Sequence, residues 1–188
     1  MRKVLQLLSV VVVGIAVALM LISPELVLIF GSPKYREAVY VIPPVAASVF
    51  FIFIYNILSM PQFYYEKTQF LMVASMAAAA ANVVLNFIFI HLFGYIAAGY
   101  TTLACYMLYS VGHYIVSKRI LVNEGIQENL MSPGFLVACS VFLIGASIIC
   151  NLIFPYRILR YAILLASAGL VFWKKELLLK TMADIRKK

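Results

Sequence analysis

Fifty consecutive residues, Thr68 through Ser117, contain no Asp, Glu, Lys or Arg. A helical bilayer crossing needs about 20 predominantly apolar residues, so this run is too long for one crossing and fits two, with a turn near Gly94. Charge-free gaps from Glu37 to Glu66 and from Glu128 to Arg157 each fit another. The chain as a whole is 65% hydrophobic and 12% charged, where a soluble domain carries about 25% charged residues. With half the usual charge it cannot cover a water-facing surface, so it reads as an integral membrane protein with lipid as its main solvent. In hydrocarbon only helices and closed barrels pair every backbone group. Barrel strands would show as short alternating segments, whereas these runs are continuous in Ala, Leu, Ile, Val and Phe. The expected fold is all-α, a polytopic membrane bundle of about six transmembrane helices.

The expected crossings are Val4–Ile22, Ala38–Met60, Phe70–Leu92, Ile96–Val116, Gly134–Phe154 and Ile158–Trp173. The first should stop at Ser23-Pro24-Glu25, with a short amphipathic piece, Leu26–Phe30, leading to the Gly31-Ser32-Pro33 turn. Pro43-Pro44 falls inside the second and should kink it, since proline removes helix donors; Pro61 should close it. Ser117–Ser132 is the one long polar stretch. Arg160 should snorkel to the interface, and Trp173 suits an interfacial belt. By segment, 1–120 is a four-helix portion, 121–133 a cytoplasmic loop, 134–173 two further helices and 174–188 a basic cytoplasmic tail.

The net charge of +8 does not point to nucleic acid, because Lys174, Lys175, Lys180, Arg186, Lys187 and Lys188 form a tail behind the last apolar run. Such tails fix topology and touch anionic membrane lipids. Six crossings put both termini, the Glu66-Lys67 turn and the polar loop on one side, with eleven of the fifteen Lys and Arg. Lys34, Arg36, Arg157 and Arg160 fall on the other, so the positive-inside rule predicts cytoplasmic termini in the cell membrane. Met1-Arg2-Lys3 superficially resembles a signal-peptide start, but Val4–Ile22 is long for that role and is read as a retained crossing. Cys105, Cys139 and Cys150 sit inside apolar runs, without paired or metal spacing, and read as small packing residues.

Nothing in the residues suggests catalysis, a cofactor or a metal. The seven acidic residues fall at expected helix ends or in loops. His91 and His113 lie near helix ends without companions at ligand spacing, and no glycine-rich phosphate loop is present. Asn82 and Asn86 stand out: at i, i+4 they share one helix face, behind the close-packing run Ala77–Ala81. Intramembrane amides serve as interhelical glue or as a polar stripe facing a cavity; Asn56 carries the same ambiguity. Tyr65 and Lys67, in Pro61–Thr68, read as an interfacial belt, or as contacts to an anionic or sugar-bearing head group. Pro43 and Pro44 mark either a static kink or a moving hinge.

The order of several motifs resembles a known family. Pro24-Glu25-Leu26-Val27-Leu28-Ile29-Phe30-Gly31, with Tyr35 and Ala38, is similar to an element of polysaccharide flippases. Tyr65-Glu66-Lys67-Thr68 resembles their tyrosine-x-lysine-threonine turn. Asn82-Val83-Val84-Leu85-Asn86, then Phe93-Gly94-Tyr95-Ile96-Ala97-Ala98-Gly99 and Thr101-Thr102, resembles their N-x-x-L-N…G-x-x-A-A-x-x-T pattern. These are the Wzx-like oligosaccharide flippases of the multidrug/oligosaccharidyl-lipid/polysaccharide exporter superfamily, and the likeness covers about residues 20–120. It implies a MATE/flippase-like half, from the C-terminal lobe of a transporter that moves polyprenyl-diphosphate-linked oligosaccharide outward for cell-surface polysaccharide assembly. Lys67, Asn82, Asn86, Asn56 and Tyr65 would then meet substrate, with Pro43 and Pro44 as hinge. Family members have two lobes, so the resemblance also implies a missing N-terminal lobe or partner chain, and a truncated or split gene product.

Three other readings stand beside this one. A multidrug exporter of the same superfamily would favour small cations. A small membrane enzyme of lipid-linked sugar metabolism would depend on loop residues such as Glu124, Glu128 or His113. An assembly factor would hold a stable partner without transport.

Overall fold

The computed structural model describes residues 2–126 and 130–173, and every described regular element is helical. They are α1 (Arg2–Phe30), a 3-10 segment (Pro33–Tyr40), α2 (Ile42–Tyr64), α3 (Gln69–Phe93), α4 (Ala97–Asn123), α5 (Pro133–Ile153) and α6 (Arg157–Trp173). The chain is thus an all-helical bundle. Four helices, α1, α2, α3 and α5, are long and apolar enough to cross a membrane. Glu128, the basic tail and the Trp173 side chain lie outside what is described.

Three expectations are corrected, each for a physical reason. First, α1 runs through Ser23-Pro24-Glu25 to Phe30 as one helix, so Leu26–Phe30 is its last turns and not a separate piece. Pro24 cannot donate to the Met20 carbonyl, but Ser23 Oγ donates to it instead at 2.8 Å. The next carbonyl, Leu21 O, accepts from Arg160 Nη1 at 3.0 Å. The Ser23 hydroxyl thereby satisfies the carbonyl that the proline left open, as tolerated prolines in apolar helices require. Second, Pro43 and Pro44 occupy the first turn of α2, where backbone donors have no intrahelical partner in any case. They help initiate the helix and so do not kink it from within. Third, α4 continues past Val116 to Asn123, through much of the expected polar loop. Ser117, Lys118 and Arg119 end the apolar run, yet such residues are compatible with helix. The helix stops where Gly125 adopts φ 78° and Ile126 N–H bonds back to Leu121 O at 2.8 Å.

α2 likewise runs past Pro61 to Tyr64 and ends in the same way, with Lys67 N–H on Gln62 O at 2.8 Å and Glu66 N–H on Phe63 O at 3.2 Å. Here the left-handed position is held by Glu66, φ 56°. A non-glycine residue there costs about 1–2 kcal/mol. Glu66→Gly is therefore expected to raise the stability of the bundle by about 0.5–1 kcal/mol after the added freedom of the unfolded glycine is subtracted. A detergent unfolding titration reads this directly, and a loss of stability would show that the Glu66 side chain contributes more than its backbone costs.

The helices alternate up and down, so α2 and α4 run the same way. α2 is central, packing on α1, α4 and α5, and it supplies the buried Phe50, Phe51, Ile54, Ile57 and Leu58. Its seam with α4 is set by small residues. A Cβ on Gly99 would come within 2.8 Å of Pro44 Cγ and 2.9 Å of Val41 O. Further along α4, Ser110 Oγ reaches Phe51 O at 2.9 Å, and Ser117 Oγ bonds Leu58 O. The donors are seven residues apart, as are the acceptors, a spacing that keeps one seam in register over two turns. Small residues that admit backbone to backbone in this way are the usual currency of apolar helix packing. α3 packs on α4 alone and buries none of its residues. α6 lies at the edge, against α1 and α5.

Candidate functional site

Because α3 meets only α4, the two leave an open cleft of about 450 Å³ against the flank of α2. Its polar wall comes from Tyr55 of α2, Ser75 and Asn82 of α3, and Thr102, Tyr106 and Tyr109 of α4; Ala78 and Ala79 form the floor. The alanines matter physically, since larger side chains at those positions would fill the space.

The polar atoms of the cleft are ordered. Asn86 Nδ2 donates to Asn82 Oδ1 at 2.8 Å, and Thr101 Oγ1 donates to Asn86 Oδ1. Asn86 is thus spent on holding its neighbour and α4, while the Asn82 amide nitrogen makes no hydrogen bond among the described residues and lies on the cleft wall. Ser75 Oγ donates to Leu71 O at 2.7 Å, which leaves it to accept from Tyr109 OH, also at 2.7 Å. Tyr55 lies edge-on to Tyr109 with centroids 4.7 Å apart, and parallel to Tyr106 at 6.3 Å. The arrangement is an aromatic patch beside an open amide, with no charged residue lining it.

Behind the tyrosines lies a buried pair that sequence reasoning missed. His113 is fully buried in α4, not near a helix end, and Gln62 Nε2 stands 2.8 Å from its Nδ1. Tyr109, Phe70 and Tyr55 enclose the ring, with centroids at 4.5, 5.4 and 5.8 Å. With the amide donating, Nδ1 accepts and the ring proton sits on Nε2. His113 Nε2 and Gln62 Oε1 have no partner among the described residues. A signal was available: Thr102, Tyr106, Tyr109 and His113 recur at helical spacing on one face of α4, as do Tyr55, Ser59 and Gln62 on α2.

Of the residues singled out from sequence, the structure places Asn82 on the cleft wall, with Asn86 bonded to it from outside the lining, and leaves the others elsewhere. Asn56 is exposed on α2 and donates to its own helix, at Ile52 O, 2.8 Å. Lys67 and Tyr65 lie in the α2–α3 turn, where Lys67 Nζ pairs with Glu124 Oε1 at 3.0 Å and stands 6.0 Å from the Tyr65 ring. Pro43 and Pro44 are buried, with Pro44 against Gly99. The free cysteines Cys105 and Cys150 are buried, and among the described residues no group of His, Cys, Asp or Glu is arranged to hold a metal.

A second missed cluster lies at the opposite end of the bundle from Lys67. Arg160 does not snorkel outward: it is 3% exposed and binds Glu25 with both terminal nitrogens at 2.9 Å. Tyr161 OH adds a third bond to Glu25 at 2.8 Å. Glu25, expected at a helix end, is inside α1, five residues before its last, Phe30.

The chain matches no protein-family model, no curated protein and no solved structure.

Proposed function

We propose that the chain is a multi-pass protein of the cell membrane with both termini cytoplasmic, and that it forms one lobe of a transporter for lipid-linked oligosaccharide. α4 and the 17-residue α6 would cross beside the four longer apolar helices, giving six crossings. The observation that carries this reading is the α2–α3–α4 cleft, an amide and three half-buried tyrosines on the flank of strongly apolar helices. Polar groups at such depth face a cavity and not lipid, so the open side of this cleft is the place for a second lobe. Its chemistry suits a sugar: tyrosine presents an apolar face with a polar tip, and the free Asn82 amide can donate to a hydroxyl. The order of the flippase-like motifs points the same way, and one of their residues, Asn82, lines the cleft while another, Asn86, holds it in place.

The multidrug reading is less well served, because a cationic drug would want a carboxylate and none lines the cleft. Binding of purified lipid-linked oligosaccharide to the chain in nanodiscs, against a cationic dye, separates the two. Asn82→Leu is expected to weaken oligosaccharide binding about 5- to 30-fold, the value of one or two hydrogen bonds in a desolvated site. Asn56→Leu, outside the cleft, should leave it unchanged. Dye binding without oligosaccharide binding would remove the polysaccharide assignment.

A further inference from the structure

At the end of the bundle where α1, the 3-10 segment and α6 meet, three guanidiniums converge. A cleft of about 260 Å³ is lined by Arg36, Arg157 and Arg160, by one carboxylate, Glu25, and by Pro24, Val27, Leu28 and Val39. The carboxylate already accepts three hydrogen bonds: Oε1 from Arg160 Nη2 and Tyr161 OH, and Oε2 from Arg160 Nη1. One arginine therefore balances Glu25, and the charges of Arg36 and Arg157 are left over. Both of these are exposed, with Arg157 held 5.8 Å from the Tyr161 ring. Arg160 itself is buried and backs the cleft, its Nε making no hydrogen bond among the described residues.

We propose that this cleft is a binding site for a phosphate-type oxyanion, gripped by Arg36 and Arg157 and backed by Arg160. Arginine forks match phosphate oxygens in pairs. Two sources present that chemistry: the head group of an anionic phospholipid, whose chains would lie along Val27, Leu28 and Val39, and a free phosphate. The inference is independent of the transport reading, since none of its residues lines the tyrosine cleft.

The test uses the full chain in detergent, titrated with short-chain phosphatidylglycerol, with phosphatidylcholine of the same length, and with inorganic phosphate. Binding is followed by native mass spectrometry or calorimetry. The double variant Arg36→Gln/Arg157→Gln should weaken binding about 30-fold, the sum of two surface arginines acting on an anionic head group. Lys34→Gln, an exposed cation of the same 3-10 segment that does not line the cleft, should change it less than about twofold. Both arginines are exposed, so the double variant should keep its melting transition, and that is measured alongside. Saturable binding of phosphatidylglycerol alone identifies a lipid head group, and binding of inorganic phosphate identifies a free anion. Equal affinity in the wild type and the double variant, or no binding of either probe, overturns the proposal.

Discussion

Arg160→Leu is expected to destabilise the bundle by about 3 kcal/mol, the lower end of the range for breaking a buried ion pair. The lower end applies because the Glu25 side chain keeps 24% of its surface while that of Arg160 keeps 4%. Three losses coincide in this variant. Glu25 retains only the Tyr161 hydroxyl, the Leu21 carbonyl next to the proline break loses its side-chain donor, and α6 loses its polar tether to α1. α6 packs only at the edge, so its backbone amides should exchange faster with deuterium while those of α2 stay protected. The double variant Glu25→Leu/Arg160→Leu should recover much of the loss, because replacing both partners removes the unpaired charge. Equilibrium unfolding in mixed micelles, arranged as a double-mutant cycle, gives the coupling. If Arg160→Leu changed stability by less than about 0.5 kcal/mol, the pair would be acting like an ordinary exposed one.

Gly99→Val is expected to be as severe through packing alone, costing about 2–3 kcal/mol. The first added carbon would already overlap the Pro44 ring and the Val41 carbonyl, at 2.8 and 2.9 Å. Neither is the free end of a flexible chain, so the start of α4 must lift from the start of α2. That movement opens the seam that Ser110 and Ser117 continue, and it tilts the wall of the cleft carrying Thr102, Tyr106 and Tyr109. Stability and oligosaccharide binding should therefore fall together. Gly145 is the control: it lies mid-helix in α5 with nothing within 4 Å of an added Cβ, so Gly145→Ala should be neutral or stabilise by about 0.5–1 kcal/mol. Equal behaviour of the two variants would mean that the α2–α4 approach is looser than the geometry states.

The positions of the helices were legible in advance, because apolar runs and turn residues act locally. Gly94, Pro133 and Pro155 fall at or beside helix boundaries, as read from the chain. Boundaries went astray where two properties that usually coincide came apart. Hydropathy falls at Ser117, yet the helix persists to Asn123, since lysine and arginine end an apolar run without ending hydrogen bonding. The prolines went astray for a related reason. Whether one breaks a helix depends on what replaces its missing donor, and for Pro24 the substitute is the Ser23 hydroxyl on the Met20 carbonyl.

Of the candidate site, the Asn82–Asn86 pair was visible because i, i+4 is a local relation. The Gln62–His113 pair was not, with partners 51 residues apart and each looking like an isolated polar residue in an apolar run. Lys67 drew attention through its aromatic neighbours, but its carboxylate partner, Glu124, lies 57 residues on.

By itself, then, the amino-acid sequence determined that this chain is helical, strongly apolar and divided by a few turns. Each of those follows from single residues or short windows, where backbone hydrogen bonding and transfer from water are additive. The tertiary structure decided which faces meet: that Arg160 is buried against Glu25, that His113 is enclosed by tyrosines, and that α3 stands aside to leave a cleft. The last two turn on how closely α4 approaches α2 at Gly99, Ser110 and Ser117, and the first on where α6 meets α1. Such an approach is a steric relation between distant segments, and no local pattern encodes it.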